Sequence, residues 1–226
     1  MPALLDLLLA TRNDGKVAEL RALLSDLPVR LHTLDAFPDA PEVVEDRPTL
    51  KGNARKKAEA LAAFTGLPAL ADDTGLEVDA LDGRPGVHTA RFAGETATAA
   101  DNRRKLLRVL DGRPNRGAQF RTVVALTDPD DARDGSTDDT HCVEGVCRGR
   151  IARTERGDGG FGYDEIFIPN DAPAEQTFAQ MSAGTKNAVS HRRRALDALR
   201  AHLEARLSDR SAPFGKASVN AYWGVP

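Results

Sequence analysis

The sequence lacks any uninterrupted apolar run near the roughly 18 residues that read as a membrane span; its longest leading stretch, Leu4 to Ala10, is broken by Asp6. A membrane protein is excluded on that ground. The amino terminus lacks the basic region, long apolar core and small-residue cleavage site of a secretory signal. Cysteine is scarce. Cys142 and Cys147 are the only two, and with His141 they do not match zinc spacing. Together these absences predict a cytoplasmic protein with reduced thiols. Neither charge sign is in excess: 31 Lys and Arg against 34 Asp and Glu leave a formal charge of −3, which favours a local phosphate pocket over a broad nucleic-acid footprint. No internal repeat, low-complexity block or clean linker divides the 226 residues, so two lobes sharing one sheet are expected rather than two separable domains.

What is present is an alternation of strand-like and helix-like segments. Leu4 to Ala10 is a strand-length run that stops at Thr11-Arg12-Asn13-Asp14-Gly15-Lys16, a cluster of turn formers and capping residues. Val17, Leu20, Leu23 and Leu24 then fall on one helical face, and Pro28 leads into a second apolar segment at Val29 to Leu34. Pro38 to Pro48 predicts an extended loop. From about Thr49 the small residues Ala54, Ala58 and Ala62, with Leu61, mark a helix stopped by Gly66 and Pro68. Leu67 to Ala71 reads as a buried strand running into an Asp-rich turn, Asp72-Asp73-Thr74-Gly75. Thr98 with Asp101 forms a capping-box pattern ahead of Leu106, Leu107 and Leu110. Phe120 to Leu126 and Val143 to Ile151 predict a long antiparallel hairpin around an exposed turn at Asp128 to Asp139. Phe161 to Ile168 reads as one more strand, and Lys186 to Leu207 as one long helix.

Several of these places suit chemistry, and each has a plainer reading. Thr11 to Lys16 puts backbone donors and a lysine at a helix start, which suits an anion; the alternative is a capped helix with a surface lysine. The loop is not a Walker A motif, because Ala10 fills the first glycine position and Val17 follows Lys16. Asp72 and Asp73 are adjacent on a strand and must face opposite ways, so one of them reaches a site and the other is structural. With Glu45 or Glu42, such an aspartate offers the oxygen ligands Mg²⁺ prefers; otherwise the pair is an Asp-rich turn. Asn53 and Lys57 share a helix face, either toward an anion or toward solvent. Phe161 and Tyr163, in a segment with four glycines, either stack on a base or pack in the core. Lys186, His191 and Arg192 belong to a basic cluster suited to phosphate, and a non-catalytic nucleotide- or RNA-binding protein using that last helix is the competing reading.

Taken in order, Thr11-Arg12-Asn13-Asp14-Gly15-Lys16, Gly52-Asn53-Ala54 with Lys57, Ala71 to Leu76, Pro85-Gly86 with Ala90-Arg91, Phe161-Gly162-Tyr163-Asp164 and Lys186 with Ser190-His191-Arg192 resemble the inosine triphosphate pyrophosphatase family, also called XTP/dITP diphosphatases. The resemblance spans about Leu4 to Leu207, a single pyrophosphatase domain, and leaves the tail from Ser208 to Pro226 outside it. It implies an α/β fold with an elongated central mixed sheet flanked by helices, two lobes with an active-site cleft between them, and a homodimer. It also implies Mg²⁺-dependent hydrolysis of ITP, dITP or XTP to the monophosphate and pyrophosphate. Carried over residue by residue, Thr11, Arg12, Asn13, Asp14, Gly15 and Lys16 hold the triphosphate, with Asn53 and Lys57 beside them. Asp73 is the proton acceptor and a metal ligand, Glu45 a second metal-side carboxylate, and Thr74 a substrate contact. Phe161, Gly162, Tyr163 and Asp164 lie on the base side, while Lys186, His191 and Arg192 read the purine carbonyls. The sequence departs from the family pattern at Gly52, where bacterial relatives usually carry Glu, at Glu165, where Pro is common, and at Arg193, where Gly is common.

Overall fold

A computed structural model describes residues 4–129 and 140–211. Seven strands form one sheet: β1 (Leu5–Leu9), β2 (Val29–Thr33), β3 (Ala69–Val78), β4 (Pro85–Gly86), β5 (Gly117–Thr127), β6 (His141–Ile151) and β7 (Phe167–Pro169). Their order is β2-β1-β3-β5-β6-β7, with β4 paired to β3. The sheet is mixed, since β1 runs parallel to β2 and β3 while the β3, β5, β6 and β7 pairings are antiparallel. Helices α1 (Asp14–Leu23), α2 (Leu50–Thr65), α3 (Ala99–Val109), α4 (Ala183–Val189) and α5 (His191–Ser211) flank it.

Burial explains which helix covers which face. Alternation along β3 and β5 puts Ala71, Val123 and Ala125 on one side, and the small-residue stripe of α2 (Ala54, Ala58, Ala62) packs there. The opposite side presents Leu70, Val124 and Leu126 to Leu196, Leu199 and Leu203 of α5. The approach of α5 is close: a Cβ on Gly145 of β6 would fall 2.1 Å from the His191 carbonyl and 2.3 Å from the Ala195 nitrogen. A third cluster, with Leu76, Phe120, Phe167 and Phe178, fills the far end of β3 and β5.

The local signals placed most element ends correctly. The Asn13 side chain caps α1, Thr49 caps α2, and Thr98 with Asp101 closes the capping box of α3. Gly66 ends α2 in the left-handed conformation at φ 69°. Three expectations need correction. Asp72 to Gly75 is no turn but the middle of β3, because β5 pairs with it residue for residue, Asp72 with Val124 through Gly75 with Arg121. Phe161 to Asp164 is a turn rather than a strand: the Asp164 N–H donates to the Phe161 carbonyl, and pairing starts only at Phe167. The last helix is two helices, because Ser190 is extended and its Oγ accepts from the Arg193 N–H, capping α5. The turn expected at Asp128 to Asp139 falls, apart from its first two residues, outside the described residues, as does the tail beyond 211.

Candidate active site

The site exists because β3 outruns its neighbour. Pairing with β1 covers only Ala69 and Leu70, and pairing with β4 resumes at Leu76, so the stretch from Asp72 to Gly75 has no strand on that edge. An unpaired strand edge leaves backbone groups to satisfy. Two lysines take the Asp72 carbonyl: Lys57 Nζ donates to it at 2.7 Å and Lys16 Nζ at 3.4 Å. Beside this edge lies a cavity of about 480 Å³.

Lys16, Lys57, Glu45 and Asp73 line this cavity. The Asp73 carboxylate is fixed at both oxygens, by the Thr74 N–H at 2.9 Å and the Asn53 Nδ2 at 3.0 Å. Burial, reinforced by the negative charge of Glu45, raises its carboxyl above the ordinary carboxylate value, against the pull of Lys57 and Lys16. Burial works against the charge on Lys57, but Asp72 and Glu45 outweigh it and hold its pKa above the usual lysine value. For Lys16 burial wins and the pKa is lowered. Glu45 is tied down by Lys57, and its carbonyl accepts from Arg91 at 3.3 Å.

Asp72 faces the other side of the sheet, into a buried charge network. Its Oδ2 accepts from Arg192 Nε at 3.1 Å and NH2 at 2.9 Å, and Lys16 stands 3.1 Å from its Oδ1. Burial alone would raise its pKa, yet Lys16, Arg192 and Lys57 hold it far below the carboxylate range. Arg192 also binds Glu19, which in turn meets Lys186 at 2.5 Å, and Lys186 reaches Asp164 at 2.6 Å. Lys186 sits 4.6 Å from the centre of the Phe161 ring. Also lining the cavity, the buried His191 ring stacks on Phe120, centroids 4.7 Å apart. Burial, with Arg192 and Lys186 nearby, drops its pKa well below 6.5 and keeps it neutral, and its Nδ1 has no hydrogen-bond partner within the described residues.

A model of the Ham1 family matches residues 7–202. The chain belongs to the Ham1 family. A dITP/XTP pyrophosphatase of Geobacter sulfurreducens is 48% identical over 199 residues, which cover 87% of this chain and 96% of that one. The protein of the same name in Shouchella clausii is 45% identical over 202 residues, 88% of this chain and 96% of its own. Among solved structures, a HAM1 protein from Coxiella burnetii superposes with a TM-score of 0.78 at 38% identity, covering 89% of this chain and all 100% of that chain. The Staphylococcus aureus Ham1 protein gives 0.75 at 35% identity over 89% of this chain and 99% of that one.

In this Ham1 chain most of the singled-out residues do converge. Thr11, Asn13, Lys16, Glu45, Lys57, Asp73 and Thr74 line one cavity together with Phe161 to Asp164, Lys186, His191 and Arg192. Four do not line it. Arg12 donates to the Ala40 carbonyl at 2.9 Å, and Asp14 sits in the first turn of α1. Asn53 acts on Asp73, and its Oδ1 accepts from the Arg47 N–H at 2.9 Å. Gly15 provides room, since a Cβ there would fall 2.4 Å from the Phe161 ring. Sequence reasoning missed Glu19, Thr89, Asn102 and Phe120. Glu19 was detectable, because it lies three residues after Lys16 and four before the buried Leu23, on the face they share. Gly52 has its own reason: a Cβ there would lie 2.8 Å from the Arg47 Cβ.

Proposed function

We propose that this chain hydrolyses non-standard purine nucleoside triphosphates (dITP, XTP and ITP) to the monophosphate and pyrophosphate. The observation that carries the reading is that Asp73, Glu45, Lys16 and Lys57 share one cavity with the aromatic rings of Phe120, Phe161 and Tyr163 and with Lys186. A polyphosphate suits the first set of residues and a purine the second. The names of the 48% and 45% identical relatives agree with this assignment.

The chemistry follows from the residues. Asp73, its carboxyl raised above the ordinary carboxylate value by burial, takes a proton from a water whose oxygen adds to the α-phosphorus. The bond to the β-phosphate breaks, and Lys16 and Lys57 offset the charge on departing pyrophosphate. Asp73 and Glu45 would hold a Mg²⁺. No group of three or more His, Cys, Asp or Glu among the described residues is placed to hold a metal ion. The pair is therefore a partial set of oxygen donors, which suits an ion that takes its remaining ligands from water and phosphate. When bound, the ion adds charge neutralisation on the phosphates. At the base end Lys186 is donor-only, so it suits the 6-oxo acceptor of hypoxanthine or xanthine and opposes the amino group of adenine. Such a mismatch is worth on the order of 10²-fold.

Incubation with dITP, XTP, ITP, ATP and GTP, with the phosphate products identified, tests the reading. Pyrophosphate release with preference for the oxopurines over ATP is expected; orthophosphate release, or no preference, overturns it. Gly15→Ala should also raise KM, because a methyl there displaces Phe161 at an overpacking cost of about 1–3 kcal/mol. An unchanged KM would remove Phe161 from the base end.

A further inference from the structure

Arg103, on α3, lies outside the cavity, yet it is buried and all three of its guanidinium nitrogens are committed to one segment. Its Nε donates to Glu155 Oε1 at 2.9 Å, its NH1 to the Gly162 carbonyl at 2.9 Å, and its NH2 meets Glu165 Oε1 at 2.9 Å. That segment carries Phe161, Tyr163 and Asp164 to the cavity. Its path requires glycine, because Gly157, Gly160 and Gly162 all have positive φ, at 83°, 76° and 63°. On its inner side the turn is held by Asp164 on Lys186 at 2.6 Å, by Lys186 against the Phe161 ring, and by the Tyr163 hydroxyl, which donates to the Thr89 carbonyl at 2.9 Å. Glu165, directly after the turn, gives Arg103 a partner at its carboxyl side.

We propose that Arg103 is a positioning residue for base recognition: with Glu155 and Glu165 it clamps the Phe161–Asp164 turn from outside and holds it ready for the purine. The inference rests on the assignment of this end of the cavity to the base. A planar fork that binds two carboxylates and a carbonyl at once is work only arginine can do. Without it the glycine-rich turn samples other positions, and the substrate bears the cost of ordering it on binding.

The test separates the two ends of the site. Wild type, Arg103→Met and Glu165→Gln are assayed for KM and kcat with dITP and for competitive inhibition by inorganic pyrophosphate, which engages the phosphate end alone. For Arg103→Met, KM for dITP should rise about tenfold with kcat within about twofold and the pyrophosphate inhibition constant unchanged. Arg103→Lys should recover little, since an ammonium cannot span three acceptors. Glu165→Gln should show the same split at about threefold, and it decides the matter if Arg103→Met does not fold. A merely structural arginine would lower the active fraction, and so kcat, while leaving KM alone; that result overturns the proposal. So does a KM and a pyrophosphate constant that rise together. Loss of the proposed function itself would show differently, as wild-type enzyme that releases no pyrophosphate from dITP.

Discussion

Replacing Arg192 by methionine should lower the melting temperature by roughly 6–20 °C, from a cost of about 3–5 kcal/mol for breaking a buried charge network in a chain of this size. The guanidinium is 1% exposed and joins Asp72, Glu19 and the Thr74 hydroxyl. It thereby ties α5 to β3 and to α1. Removing it leaves two carboxylates in the interior, Asp72 with Lys16 and Lys57 and Glu19 with Lys186. Arg192→Lys should restore only part of the loss, since one ammonium replaces a fork that reaches both acids. Arg193→Met next door is the control: that residue is half-buried, and its ion pair runs along its own helix to the half-exposed Asp197, so its effect should stay within about 0.5 kcal/mol. The acid side of the stability curve gives a second reading. The folded pKa of Asp72 is depressed, so its contribution is complete above the ordinary value of 3.8 and is lost as pH falls through the folded value. Without Arg192 that folded value moves up, and the variant should unfold at a higher pH than wild type does. A melting shift under 2 °C, with no change in acid unfolding, would mean that the network contributes nothing net.

The contrast between these neighbours shows what the sequence could and could not say. Local chemistry is written locally: Asn13, Thr49 and Thr98 cap the helices they precede, and Gly66 ends one, because each acts on backbone groups within three or four residues. Nonlocal pairing overrode local preference at Asp72 to Gly75, a turn-forming tetrapeptide that β5 holds extended. The reverse happened at Phe161 to Asp164, where apolar residues suggested a strand and left-handed glycines made a turn. Ser190 could have been read as a cap, since a serine at that place interrupts an otherwise continuous helical pattern. Which acids and bases meet was legible only in part. Strand alternation assigned Asp72 and Asp73 to opposite faces, and the structure places them so. That Arg192 would be spent on Asp72 and Glu19 depends on a crossing of α1, β3 and α5, with partners 120 and 173 positions away. No period or spacing carries that information. The gap beside β3 that makes the cavity is likewise a matter of register, fixed by where β1 stops.

Asp73→Asn should cut kcat on the order of 10²–10⁴-fold, the usual contribution of a positioned general base, while the protein stays folded. The amide has the same shape, but its single oxygen can accept from only one of the Thr74 N–H and the Asn53 Nδ2, and the other donor faces the amide NH2. One hydrogen bond is lost and one disfavoured buried charge is removed, so stability should hold. The folded pKa of Asp73 is raised, first by burial and then by Glu45, so the folded state favours the protonated form and disfavours the charge present at neutral pH. For such a group stability falls as pH rises through the folded value. Replacing the carboxylate by a neutral amide removes that penalty. An unchanged melting temperature with activity gone is therefore the signature of a group kept for chemistry rather than for the fold. The Arg192 variant has the opposite signature. A rate within threefold of wild type would take Asp73 out of proton transfer, and a large fall in melting temperature would show that its bonds to Asn53 and Thr74 hold the strand edge together.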